Sequence, residues 1–390
     1  MKAILASAAN LSKPSSSDYE KVEKIANEIL NNIKQFSDPR IREVSIGGSF
    51  GKGTWLADTD IDLFVSILSN VNRNEFETLG KNVGFYALRK YNPYIRYSEH
   101  PYVEAVVGTT KVNVVPCYDV AIGNWKSSAD RSPYHTSYMK ENLNSYLIEQ
   151  VRILKKFLKT IGVYGSQIAI SGFSGYVTEV LTIKFKSFLK VLNFVADIQT
   201  DTLTISLNSE IPNNPFDSKL VIIDPVDEKR NLGAAISSTS LAKFILTARN
   251  FLDRPSIKYF MDDTSKFNIE GLKKNLLIVE FKIIKRSPDI LWGQLKRKIT
   301  AISKQLSLRH FDVIRYYCYT NEEDSAIFFF LLRSPIPWST ELKKGPKIFR
   351  RDDTNAFLSK RSHDSILFWI DDQMNIYSIN EGPNMTAREG

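Results

Sequence analysis

The sequence predicts an α+β protein of several domains. Three observations predict it. Stretches with strand-like and helix-like spacing alternate up to about residue 145. The spacing then turns mainly helical to about residue 271. Beyond residue 272 a β-α-β-β order rich in lysine and arginine follows. A chain of 390 residues is long enough for two or three domains with cores of their own.

The elements follow from local pattern. Val22, Ile25, Ala26, Ile29, Leu30 and Ile33 put a helix over residues 18–36, with Ser17 or Asp18 as its cap. Residues 41–46 form a short strand, and a glycine-serine turn over 47–53 leads into a second strand over 61–68. A helix covers 74–91, and strands 102–107 and 111–117 flank Gly108-Thr109-Thr110, a hairpin signal. Leu147, Val151, Leu154, Phe157 and Leu158 line one helical stripe. A second helix follows Ser174, and Leu241, Phe244, Ile245 and Phe251 mark a third over 237–253. Residues 220–223 form a strand entering Asp224-Pro225-Val226-Asp227. A strand over 276–284, an amphipathic helix over 291–308 and strands over 311–320 and 325–332 make the last full domain. Two strands, 366–370 and 376–379, precede a polar end. The expected division is 1–145, 146–271, 272–351 and a shortened tail region, 352–390.

A formal net charge of +9 and a pI near 9.2 favour a polyanionic partner, nucleic acid before an anionic membrane. Two distant cysteines, Cys117 and Cys318, make neither a disulfide framework nor a zinc cluster, which suits a reducing cytoplasm. The apolar stretch at the N-terminus is too short for a secretion signal, and no run of about 18 apolar residues spans a membrane.

The chemistry concentrates in residues 47–62, GGSFGKGTWLADTDID. Glycines such as Gly48 let backbone N–H groups approach an anion, Ser49 adds a hydroxyl and Lys52 a cation, a set suited to a triphosphate. Asp60 and Asp62, two apart on a strand, point to one face and repel unless a cation lies between them. Mg²⁺ takes such hard oxygen ligands and keeps substrate phosphates in its shell.

This Gly-Ser…Asp-X-Asp arrangement resembles the DNA polymerase β-type nucleotidyltransferases, and more narrowly the archaeal-type (class I) CCA-adding enzymes. Further segments carry the resemblance in the family's order: Glu99-His100-Pro101-Tyr102, Val114-Val115-Pro116-Cys117-Tyr118, Asp130-Arg131-Ser132-Pro133-Tyr134-His135, Gly172-Phe173-Ser174-Gly175-Tyr176 and Asp224 to Asn231. They cover about residues 20–260; the region after 270 resembles the family only loosely. The resemblance implies a polymerase β-type head and a helical central domain that recognises the base. It also implies a basic α/β RNA-binding domain, and CCA addition to tRNA from CTP and ATP with two Mg²⁺ ions.

Position by position, the resemblance makes Asp60 and Asp62 metal ligands and Ser49 a triphosphate contact. Lys52 stands where the family usually has arginine, so a cation is kept and the bidentate fork lost. His135, Lys155 and Tyr164 match residues around the triphosphate and sugar, Arg131 and Ser132 line the nucleotide site, and Arg230 reads the base with Asp227 nearby. Each has a plainer reading. His135 and Lys155 suit a solvated surface, Tyr164 and Cys117 simple packing, and Arg230 a loop ion pair with Asp227 or Glu228.

Asn113 departs from the pattern. The family has a third aspartate there, which helps hold the catalytic metal and draw off the hydroxyl proton. An amide oxygen ligates Mg²⁺, but it carries no charge and is a poor base. Glu104 has the parity of the opposite face if the hairpin is tight, and Asp119 lies six residues on, ~20 Å along an extended strand. The chain is therefore expected to add nucleotides poorly. A poly(A) polymerase-like or oligonucleotide-synthesising relative, or a catalytically dead RNA-binding homologue, are the alternatives. An apolar strand edge in the last domain suits a core or an interface equally, which leaves a homodimer open.

The implied RNA is the tRNA acceptor stem and T arm, a helix read by shape, phosphates and 2′-hydroxyls. Lys296, Arg297 and Lys298 on one helix, and the run Lys343, Lys344, Lys347, Arg350 and Arg351, suit its backbone. Binding to tRNA is expected to weaken steeply between 50 and 200 mM salt, by about 10³-fold or more if six or more phosphates are contacted. A flat salt response in a filter-binding titration would exclude that role for these side chains.

Overall fold

The strands read from the first part of the sequence join one sheet. They are β1 (Ile41–Ile46), β2 (Ile61–Leu68), β3 (Tyr94–Tyr97), β4 (Pro101–Val107) and β5 (Thr110–Asp119), ordered β1-β2-β5-β4-β3. In this computed structural model β2 and β5 run parallel and the other pairs antiparallel. The structure describes residues 1–97, 99–200, 202–207, 216, 218–261, 270–334 and 340–381. They fall into two units, Met1–Thr264 and Ser265–Gly390.

Alternation along β2 divides its two faces. Ile61, Leu63, Val65 and Ile67 are buried in an apolar core, which turns Asp62, Phe64 and Ser66 to the other side. The helices α1 (Lys2–Ser12), α2 (Ser16–Lys34), α3 (Gly48–Gly51) and α4 (Arg73–Ala87) precede or interleave with these strands. α2 starts two residues earlier than expected. Ser15 is its cap, and Asp18 is the third residue of a capping box, accepting from the Ser15 N–H while Ser15 accepts from its own. α2 and α4 supply Ile25, Ile29, Phe76, Leu79 and Val83 to the core. Gly80 and Gly84 let α4 lie close on the sheet, since a Cβ there would meet Pro116 at 2.6 Å and Val103 at 2.5 Å.

The rest of this unit is mainly helical: α5 (Arg131–Asn142), α6 (Ser145–Thr160), α7 (Gly175–Phe185), α8 (Phe188–Ala196) and α9 (Ser238–Asp253), with a parallel pair β6 (Leu203–Ile205) and β7 (Leu220–Ile222). Its core centres on Phe157, whose ring lies 5.5 Å from Phe188, 5.7 Å from Phe251 and 5.8 Å from Phe260. Burying each such side chain contributes about 1.5–3 kcal/mol. α1 packs here through Ala8. Neither α1 nor α5 stands out in the sequence, because α5, RSPYHTSYMKEN, has almost no apolar stripe.

The second unit holds β8 (Leu276–Lys282), α10 (Pro288–Leu308), β9 (Val313–Thr320) and β10 (Ser325–Leu332), with sheet order β8-β10-β9. α10 buries Leu291, Leu295 and Ile299 in a core shared with Phe328 and Phe330. β11 (Thr340–Lys347), α11 (Arg351–Arg361), β12 (Ser365–Ile370) and β13 (Asn375–Glu381) complete it, with β13 between β11 and β12. No helix among the described residues is long and apolar enough to cross a membrane.

Cys117 is fully buried on β5, and burial pushes its thiol up to about 12. In a Cys318→Ser background the folded protein is expected to leave Cys117 unmodified by a thiol-disulfide reagent until denaturant is added. Fast modification of the native protein would contradict this packing.

Candidate active site

The site is assembled around the glycine turn. The Gly47 N–H donates to the Asp62 carbonyl at 2.8 Å, which ties the turn to β2. Gly48 has φ +60°, and a Cβ there would lie 2.0 Å from Asp62 Oδ2. Glycine is thus required twice over, by backbone conformation and by contact with the carboxylate. The turn itself winds into α3 rather than staying open.

Asp62 Oδ1 accepts from Asn113 Nδ2 at 2.9 Å, because the parallel pairing sets residue 62 beside residue 113. Burial raises the Asp62 carboxyl, opposed by the Asn113 bond and the Lys52 charge. Burial also raises Asp60; Lys111 opposes it, while Asp62 and Glu104 add to it. In both, desolvation is the largest cause, and it disfavours the charged form. Asn113 Oδ1 is buried without a hydrogen-bond partner.

Two cavities meet at Asp62. One, of about 360 Å³, is lined by Gly48, Lys52, Asp62, Asn113, Ser132 and His135, among others. The other, of about 430 Å³, includes Ser49, Asp58, Asp60, Asp62, Lys159 and Tyr164. Ser49 shares a hydrogen bond with Thr59 at 2.9 Å. The expected nucleotide residues therefore divide between two sides of one carboxylate.

Lys155, Arg131, Asp227 and Arg230 line neither of these cavities. Lys155 is 1% exposed, so it does not sit on a solvated helix face. Its Nζ donates to Glu179 Oε1 at 2.9 Å and to the Thr54 hydroxyl at 2.9 Å. Lys52 donates to Glu179 Oε2 at 3.0 Å, and its ammonium lies 4.8 Å from the Tyr176 ring centre. Burial works against the Glu179 charge, but Lys155, Lys52 and Thr54 outweigh it and hold the carboxyl well below its ordinary value.

Arg131 pairs with Asp227 at 2.7 Å. Arg230 pairs with Asp224 at 3.2 Å. Asp224 also accepts from His135 Nε2 at 2.9 Å and from the Tyr176 hydroxyl at 3.0 Å. Burial keeps the His135 imidazole below its ordinary pKa, so at neutral pH a neutral ring donates this bond. Asp130 fixes the start of α5. Its carboxylate accepts from the N–H groups of Tyr118, Lys126 and Ser127 at 2.7–2.8 Å.

The structure corrects one expectation. Glu104 pairs directly with Asn113 across β4 and β5, so the two side chains share a face. The hairpin closes one residue earlier than the sequence suggested, at Val107↔Thr110, and that shift reverses the parity. Glu179, Asp224 and Tyr176 were not singled out as site residues. Glu179 has no motif around it, and its partners lie 24 and 127 residues away. In the second unit, Arg297 and Lys298 are exposed on α10 and Lys296 is half-buried. Lys343, Lys344 and Lys347 lie on β11, and Arg350 and Arg351 are exposed at the start of α11.

A five-stranded mixed sheet bearing a glycine turn against Asp-X-Asp, followed by a helical domain, defines a nucleotidyltransferase. A nucleotidyltransferase domain model matches residues 26–135. The model for the second domain of tRNA nucleotidyltransferase matches 149–261, and that for the C-terminal domain of the CCA-adding enzyme matches 273–382. The chain belongs to the CCA-adding enzyme family. It is 35% identical over 370 residues to the CCA-adding enzyme of Sulfurisphaera tokodaii, covering 94% of this chain and 86% of that one. To the enzyme of Methanocaldococcus jannaschii it is 32% identical, covering 92% and 83%. Among solved structures, a poly(U) polymerase aligns with a TM-score of 0.53 at 14% identity, over 67% of this chain and 99% of that one, a likeness of fold.

Glu179→Ala would leave two ammonium groups facing an empty buried site. It is expected to destabilise the protein by about 3–5 kcal/mol, measured by urea unfolding. A loss under about 1 kcal/mol would show that the pair does not hold the two domains' side chains together.

Proposed function

We propose that this chain adds C, C and A to the 3′ end of tRNA, taking CTP and ATP and reading no template. The observation that carries the reading is Asp62, held between the Gly48 turn and Asn113 at the meeting of two cavities. Asp60 and Asp62 offer carboxylate oxygens whose charge burial disfavours, and Asn113 offers a buried oxygen with no partner. Among the described residues no group of three His, Cys, Asp or Glu side chains gathers for a metal, so the donor set is two carboxylates and one amide. These hard oxygens fit Mg²⁺. Mg²⁺ bound there supplies positive charge at the triphosphate and at the attacking oxygen.

The chain's own groups do the rest. In the reaction the RNA 3′-hydroxyl oxygen bonds to the α-phosphorus, the bond to pyrophosphate breaks and the hydroxyl proton leaves. The α3 turn and the Ser49 hydroxyl hold phosphate oxygens, and Lys52 adds a cation fixed by Glu179. Ser132, His135 and Tyr164 shape the two cavities around ribose and phosphates. Lys155 acts from behind, steadying Glu179 and Thr54 rather than touching substrate. Arg230, oriented by Asp224, keeps N–H groups to offer to acceptors on cytosine and adenine alike. Arg131 holds Asp227 beside it. The basic α10 and β11 of the second unit suit the phosphates of the acceptor stem and T arm.

The test is extension of tRNA lacking its end with each labelled nucleotide in turn. Incorporation of C, then A, is expected, with no use of UTP or GTP. Unlimited A addition or incorporation of U would instead support a polymerase-like relative. Asn113→Asp is expected to speed extension by at least about tenfold, since it restores a charged oxygen at the metal and a better base. Equal rates for the two proteins would refute impairment by Asn113.

A further inference from the structure

Asn113 stands in a row of four residues on four neighbouring strands. Asp62 pairs with Asn113, Asn113 with Glu104, and Glu104 with Tyr94. Paired residues project to the same face. Glu104 therefore shares the face of Asp62, two strands away across β5, and it is only 4% exposed.

Its partners leave it one vacancy. The Tyr94 hydroxyl donates to Glu104 Oε1, and Arg96 donates Nη2 to Oε1 and Nε to Oε2, both at 3.4 Å. A carboxylate has about four lone-pair sites, so one site on Oε2 stays open. The Asn113 amide is the complementary case. Its Nδ2 occupies Asp62, the carboxylate a cation needs, and its Oδ1 is buried with no partner. A half-turn of the amide reverses both. It would bring Oδ1 to the Asp62 side and free Nδ2 for the neighbouring strand, where Glu104 is the register partner of Asn113.

We propose that Glu104 is a positioning residue for nucleotidyl transfer. It accepts Asn113 Nδ2–H when a divalent cation binds at Asp60 and Asp62, and so turns the amide oxygen to the cation. Glu104 is itself paired with Arg96, so β4 supplies here a hydrogen-bond acceptor that orients the amide, where the family's third aspartate carries a charge on β5. An aspartate at 113 brings its own charge to the cation and needs no such acceptor beside it. The asparagine and the glutamate thus form a matched pair. The inference rests on the metal reading given under the proposed function.

The test is Mn²⁺ binding to the full chain with a non-hydrolysable CTP analogue, read from the paramagnetic resonance signal of the free ion. Glu104→Gln is expected to weaken binding by about tenfold or more, as removal of a group that orients a ligand does. Adding Asn113→Asp to Glu104→Gln is expected to restore wild-type affinity or better, because the charge returns to β5. Glu104→Asp, with charge kept and reach cut by one methylene, is expected to fall between. Wild-type affinity in Glu104→Gln overturns the proposal. So does a double variant as weak as Glu104→Gln, since that marks damage to the sheet edge. If the wild type binds no Mn²⁺, the metal reading falls as well; if it binds and Glu104→Gln matches it, this inference alone falls.

Discussion

The parallel pairing of β2 with β5 is the constraint on which the site depends. It sets Asp62 beside Asn113, and through the β4–β5 hairpin it sets Glu104 beside Asn113 in turn. A slip of one residue would turn all three to the apolar side. The slip is resisted because that side carries Ile61, Leu63, Val112, Val114, Val103 and Ala105, all fully buried. The apolar core under the sheet thus holds the polar row above it. Stability and chemistry are opposite faces of the same strands.

A second constraint joins sheet and helices. Glu179 on α7 gathers Lys52 and Thr54 from the segment between β1 and β2, and Lys155 from α6. A lone buried carboxylate would be costly, and so would either lysine. Together they leave one net positive charge in place of three isolated ones, and the Lys52 ammonium lies over Tyr176. Tyr176 in turn bonds Asp224, which orients His135 and Arg230. The polar network runs from the glycine turn to the residues proposed to meet the base, with each buried group satisfied by the next.

Much of this was legible in sequence. The strands 41–46 and 61–68 fall where alternation and the flanking glycines place them, and so does the strand over 325–332. The Gly-Ser…Asp-X-Asp window pointed to the candidate face because glycine and paired acids have few other reasons to coincide. α5 was not legible. Its helix is held by Asp130 and by contact rather than by an apolar stripe. The first helix cap was misplaced because three serines in a row precede Asp18, and local pattern does not choose among them.

The sequence by itself determined which groups are present: two acids, an amide where the family has a third acid, a glycine turn, a basic excess and a family order of motifs. These are properties of residue type and short spacing. Only the tertiary structure decided which groups meet. Lys155 is bound to Glu179 rather than solvated, and Arg230 is paired with Asp224. Glu104 faces Asn113 rather than away from it. The reason is physical. Partners in these contacts are chosen by strand register and by the need to satisfy buried charge, and neither has a signature in the residues on either side.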